Sequence, residues 1–195
     1  MKKLALLAFG AACLSLSFQA NAAPEPKKAT AQVESKLYVT ASEAWEMMQK
    51  DASVILIDVR DPIEVMFTGF TDEADMHVPF LLSDRSKKHP KKPVYNMVKN
   101  PKFLEQVEAK LTEMKVSKDT AIIMMCRSGS TRSAPAANML YKKGWKNTYT
   151  MVDGFEGGKS KEGNSKGVRA VNGWRNSGLP WGYKLNMDKM YFAQQ

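Results

Sequence analysis

Histidine and cysteine are nearly missing from this chain: two of each occur in 195 residues. A Cys/His zinc site would need all four, and Cys13, His77, His89 and Cys126 show no ligand spacing, so no metal or other cofactor is expected. The same scarcity excludes a disulfide-dense miniature domain. Long apolar runs are scarce too. The stretch from Leu4 to Phe18 is broken by Gly10 and Ser15, and its length of about 15 residues falls short of the roughly 20 that span a bilayer. There is no internal repeat. A net charge of +9 raises the question of nucleic acid, but the lysines are scattered and no basic stripe is interleaved with aromatics, so none is expected. What remains, 44% hydrophobic and 25% charged residues, is the composition of one globular domain.

The first residues read as an address. Lys2 and Lys3 precede the apolar run, and Ala20-Asn21-Ala22 offers small residues for cleavage, which is the pattern of a secretory signal peptide over residues 1–22. Cleavage after Ala22 would leave 173 residues, remove Cys13 and lower the net charge from +9 to +7 by loss of Lys2 and Lys3. The expectation is a periplasmic or otherwise exported protein, with no stable membrane insertion after cleavage and with Cys126 as its sole thiol. Residues 23–36, with two prolines and several alanines, read as a linker.

From Leu37 strand and helix signals alternate. Short apolar runs at Leu37-Tyr38-Val39, 54–59, 121–125 and 148–152 read as strands, and 74–80 less clearly as another. Thr40 to Glu43 is a capping box opening a helix. Asn100-Pro101 offers a cap and a first-turn proline for a second helix, and Ser133 to Lys143 forms a third before Gly144. Uninterrupted apolar strands separated by helices predict a parallel sheet covered on both faces, with ligands beyond the carboxyl ends of its strands. The stretches near 83–99 and 157–178, rich in lysine and in glycine, serine and asparagine respectively, read as surface insertions. Residues 184–195 read as a C-terminal tail.

The segment Cys126-Arg127-Ser128-Gly129-Ser130-Thr131-Arg132-Ser133 lies between a strand and a helix start. Helix-start N–H groups attract anions, and two arginines add full charges. Both favour thiolate over thiol, so a Cys126 pKa below the free value of about 8.5 is expected. Gly129 lets the backbone approach a ligand, and three hydroxyls stand ready as donors. The competing reading is a structural cysteine closing a core strand.

This loop, together with Ile57-Asp58-Val59-Arg60, Val152-Asp153-Gly154-Phe155-Glu156-Gly157-Gly158 and Gly178-Leu179-Pro180-Trp181, resembles the rhodanese family of sulfurtransferases over residues 37–183. The resemblance implies an α/β fold with a five-stranded parallel sheet flanked by helices on both faces. It implies Cys126 as the sulfur-accepting nucleophile, Arg127, Ser128, Gly129, Ser130, Thr131 and Arg132 as the substrate pocket, and Asp58 and Arg60 as support. Asp58 and Arg60 read equally as a surface ion pair, and Asp153 to Gly157 as a turn rather than a chemical site. The partners implied are a small anionic sulfur donor such as thiosulfate and a thiol or cyanide acceptor, with a protein acceptor as the further option.

Two departures stand out. Gly69 is followed by Phe70-Thr71-Asp72-Glu73 rather than the family's Gly-His and Ile-Pro-Gly. The spacing Cys126-x5-Arg132 is one residue longer than in many single-domain members and equals that of rhodanese-fold phosphatases and related arsenate reductases, although Met125 stands where those phosphatases carry histidine. A non-catalytic persulfide carrier is a third reading.

Overall fold

The computed structural model describes residues 23–193; the segment read as a signal peptide lies outside them. Five parallel strands form the central sheet in the order β1-β7-β6-β2-β3: β1 (Tyr38–Val39), β2 (Ile55–Asp58), β3 (Met76–His77), β6 (Ile122–Met125) and β7 (Thr148–Met151). In register, Asp58 of β2 faces Met125 of β6, so the two strands end side by side.

Alternation along each strand divides the core. Ile55, Ile57, Ile122, Met124 and Cys126 face α3 (Phe103–Glu113) and α4 (Ser133–Lys142). Leu56, Ile123, Met125 and Met151 face the layer of α1 (Ala41–Lys50) and α2 (Pro62–Thr68), with the wholly buried Trp174. A two-residue period with both faces covered accounts for the unbroken apolar runs.

The helices begin where local chemistry lets them. Thr40 Oγ1 accepts the Glu43 N–H at 3.2 Å while Glu43 Oε2 accepts the Thr40 N–H at 2.7 Å, the reciprocal cap anticipated from sequence and worth about 1 kcal/mol. Asn100 does not cap α3 directly: the helix starts at Phe103, and the Asn100 side chain accepts the Lys102 N–H and donates to Pro79 O. Helix α2 was not anticipated. Asp61 caps it by accepting the Ile63 N–H at 2.9 Å, and Pro62 fills the first helical position.

Several boundaries differ from the sequence reading. The 23–36 segment is not a loose linker. Ala23, Ala31 and Val33 are buried, and the Glu34 N–H donates to Asn138 Oδ1 of α4; apolar spacing too irregular for a helix still docks side chains. The uncertain third strand has a regular ladder only at Met76–His77, although the Val78 N–H still donates to Asp58 O and the Phe80 N–H to Val59 O. The 83–99 insertion is an antiparallel ribbon of β4 (Leu81–Lys88) and β5 (Tyr95–Lys99). Residues 157–178 form an irregular excursion with a bridge between Lys159 and Arg169 and a 3-10 turn at Trp174–Asn176. The C-terminal stretch also joins the domain: the His77 N–H donates to Lys189 O, and Met190 is buried.

Candidate active site

Cys126 closes β6 and α4 begins at Ser133, so the intervening loop curls at the carboxyl edge of the sheet. Two main-chain approaches fix its shape. Gly129 sits at φ +65°, where a Cβ would lie 2.0 Å from Val152 O, and Gly154 sits at φ +64°, where a Cβ would lie 2.4 Å from Cys126 O. Only glycine fits such contacts. The turn after β7 also donates into the loop: Phe155 N–H to Cys126 O at 2.8 Å, and Glu156 N–H to Arg127 O at 2.9 Å. From the other side, the Thr30 and Ser130 hydroxyls are 3.0 Å apart.

The Cys126 residue is 2% exposed. Burial alone would raise its pKa. The Arg132 charge, the Ser133 hydroxyl and the N–H groups of Ser133 and Ser128 outweigh that and hold it below the ordinary thiol value. Its Sγ lies 3.3 Å from Ser133 Oγ, and Ser133 Oγ in turn accepts the Thr150 hydroxyl at 3.0 Å. With that lone pair occupied, the Ser133 O–H is free to donate to a thiolate. The amides and hydroxyl thus converge on a sulfur that is also packed into the core facing α3 and α4.

The loop arginines do not stand free. Arg132 reaches Glu64 of α2 with both terminal nitrogens, the second contact at 3.0 Å. Burial works against the Arg132 charge, and the Glu64 carboxylate more than compensates, so its pKa is raised. Arg127 Nε donates to Glu156 at 2.6 Å and lies 3.8 Å from Glu64. Glu156 also receives Arg175 at 3.0 Å. These ion pairs border a cleft of about 890 Å³, lined further by both insertions through Lys92, Tyr95, Lys159 and Arg169.

Asp58 and Arg60 lie beneath the site rather than on a surface. Both side chains are 0% exposed and meet at 2.5 Å. Arg60 also donates to Thr68 Oγ1 and Gly69 O and lies 3.8 Å over the Phe155 ring. Burial raises the Asp58 pKa, but Arg60 brings it below the usual carboxylate value. His77 Nε2 contacts Arg60 O at 2.8 Å and the Tyr191 N–H faces its Nδ1 at 3.4 Å, an arrangement that suits the neutral ring. Burial lowers its pKa accordingly.

A model of the rhodanese-like domain matches residues 40–161. The chain belongs to the rhodanese-like family. An uncharacterized protein of Rickettsia prowazekii is 30% identical over 73% of this chain and 94% of its own length. The thiosulfate sulfurtransferase GlpE of Haemophilus influenzae is 30% identical over 61% of this chain and 84% of its own. A crystal structure of Rv0390 from M. tuberculosis superposes with a TM-score of 0.59 at 29% identity, over 75% of this chain and 97% of that one.

In this rhodanese-like domain Cys126 to Arg132 form one loop between β6 and α4; Arg127, Thr131 and Arg132 line the cleft, Gly129 packs against Val152 O, and Asp58 and Arg60 are buried at the end of the neighbouring strand. Sequence reasoning passed over Glu64, Ser133, Thr150, Glu156, Arg169 and Arg175. Glu156 stood inside a motif assigned to a turn; the turn is there, and its carboxylate faces the cleft. Glu64 was visible only through the unrecognised helix start at Asp61-Pro62.

Proposed function

We propose that this protein is a sulfurtransferase that takes sulfane sulfur from a thiosulfate-type donor onto Cys126 and delivers it to a thiol or cyanide acceptor. The observation that carries the reading is the convergence of the Ser133 hydroxyl, the Ser128 and Ser133 N–H groups and the Arg132 charge on one sulfur whose pKa is depressed. Kinship with thiosulfate sulfurtransferases supports it.

The Cys126 thiolate attacks the outer sulfur of the donor. The sulfur–sulfur bond of thiosulfate breaks, its electron pair leaves with sulfite, and Cys126 keeps the transferred atom as a persulfide. The acceptor then attacks that outer sulfur and regenerates the thiolate. Loop N–H groups and arginines stabilise the negative charge throughout. To reach the sulfur the donor anion passes between Arg127 and Arg132 and competes with Glu156 and Glu64 for them.

Phosphate or arsenate chemistry is the alternative suggested by the Cys126-x5-Arg132 spacing. Against it, Met125 stands where those phosphatases carry histidine, and the loop 127–132 holds no carboxyl or imidazole group to serve as general acid. Export through residues 1–22 belongs to the same proposal and predicts a mature protein starting at Ala23, checked by N-terminal sequencing of the secreted fraction. The deciding experiment is intact mass after thiosulfate treatment: wild type gains one sulfur atom and Cys126→Ser does not. Turnover of an aryl phosphate with no sulfur gain would overturn the reading.

A further inference from the structure

The cleft is larger than the proposed donor requires. At about 890 Å³ it falls in the range of about 300–1,000 Å³ that takes small organic ligands, well beyond a small inorganic oxyanion. Its charge is also unbalanced. Six cationic side chains line it against two carboxylates, Glu64 and Glu156, and both of these are committed to Arg127, Arg132 and Arg175.

The surplus lies on the insertions. Lys92 comes from the ribbon turn, and Lys159 and Arg169 from the 157–178 excursion; among the described residues none of the three has an ion-pair partner. Arg169 is the most telling. Its Nη1 donates to Gly157 O, yet its Nε is buried with no hydrogen-bond partner, a donor that native structures seldom leave unmet. Burial and the neighbouring Arg127 charge lower its pKa against the opposing pull of Glu156 and Glu64. Between these charges Val94, Tyr95 and Val168 are exposed, an apolar surface for a carbon skeleton.

We propose that Arg169, Lys159 and Lys92 form an acceptor subsite that binds the carboxylates of an acidic organic thiol and thereby selects which thiol discharges Cys126. The inference rests on the sulfurtransferase reading and adds the acceptor class. The thiolate of the bound acceptor attacks the outer sulfur of the Cys126 persulfide. That sulfur–sulfur bond breaks, the Cys126 thiolate leaves, and the acceptor departs as its own persulfide anion; no oxidant or reductant enters.

Two measurements test it. Protein loaded with thiosulfate and freed of excess is discharged by mercaptosuccinate or by uncharged 2-mercaptoethanol. The expected preference for mercaptosuccinate falls about tenfold in Arg169→Gln and several-fold in Lys159→Gln, and weakens with salt, as for a charge-selected partner. Equal ratios in wild type and both variants overturn the subsite. Separately, calorimetric titration with S-methylmercaptosuccinate, which cannot accept sulfur, is expected to bind wild type and to weaken about tenfold in Arg169→Gln. If loading fails while this titration holds, the sulfurtransferase reading falls and takes the acceptor role with it, leaving only a dicarboxylate-binding site. If loading succeeds and the titration shows no binding, the subsite falls alone.

Discussion

Strands β2 and β6 end side by side, and each is followed by arginine–carboxylate pairing with opposite consequences. After β2, Arg60 and Asp58 meet in full burial, with further bonds to Thr68 and Gly69 and an aromatic ring against the guanidinium. After β6, Arg127 pairs with Glu156 while its own side chain remains 44% exposed, and Arg132 meets Glu64 at the cleft wall. The same two functional groups make a sealed strut in one place and a clasp beside a cleft in the other. Solvent access decides, because a sealed charge has nowhere else to go while a cleft-lining one can trade its carboxylate for an incoming anion.

The contrast can be broken at its centre first. Cys126→Ser is expected to abolish sulfur loading, read by intact mass, while changing the urea midpoint little, since the hydroxyl keeps the loop's contacts. Removing the strut does the reverse. Arg60→Met strands the Asp58 carboxylate and is expected to cost about 3–5 kcal/mol of stability in denaturant unfolding. If activity fell with no loss of stability, the strut would instead belong to the chemistry. Loosening the clasp comes next. Glu64→Gln frees Arg132 and is expected to tighten inhibition by phosphate about tenfold, at a stability cost of about 1–2 kcal/mol; unchanged inhibition would mean that Glu64 does not guard the loop.

The smallest effects are on pH. Loading should rise with pH and level off below the ordinary thiol value of about 8.5, because the Cys126 pKa is depressed. Ser133→Ala should move that rise to higher pH, as seen in rate profiles. Stability should fall in acid in two stages. His77 has a lowered folded pKa, so the unfolded chain takes the proton first and stability begins to drop below about 6.5. The Asp58 contribution is fully present above about 3.9 and is lost as pH falls through its lowered folded value. His77→Gln should flatten the first stage only.

What the sequence disclosed follows the same division. Backbone-driven features were legible: apolar runs gave β2, β6 and β7, the Thr40 and Glu43 cap gave α1, and the cysteine segment gave the loop between β6 and α4. Features made by distant side chains were not. Glu64 and Arg132 are far apart in sequence, and nothing local marks their meeting. The burial of Asp58 and Arg60 was undecidable, because a strand-end Asp-x-Arg looks alike whether water reaches it or not. The alanine- and proline-containing segment 23–36 resembled a tether until its docking on α4 was in view.

Gly129 and Gly154 press peptide against peptide at two points of the cysteine loop, leaving no room at either for a side chain. The receptacle's contour is therefore written in main chain, while its rim is written in side chains from the ribbon and the glycine-rich excursion. A protein built this way can exchange its clientele by altering the rim alone, with the floor held constant.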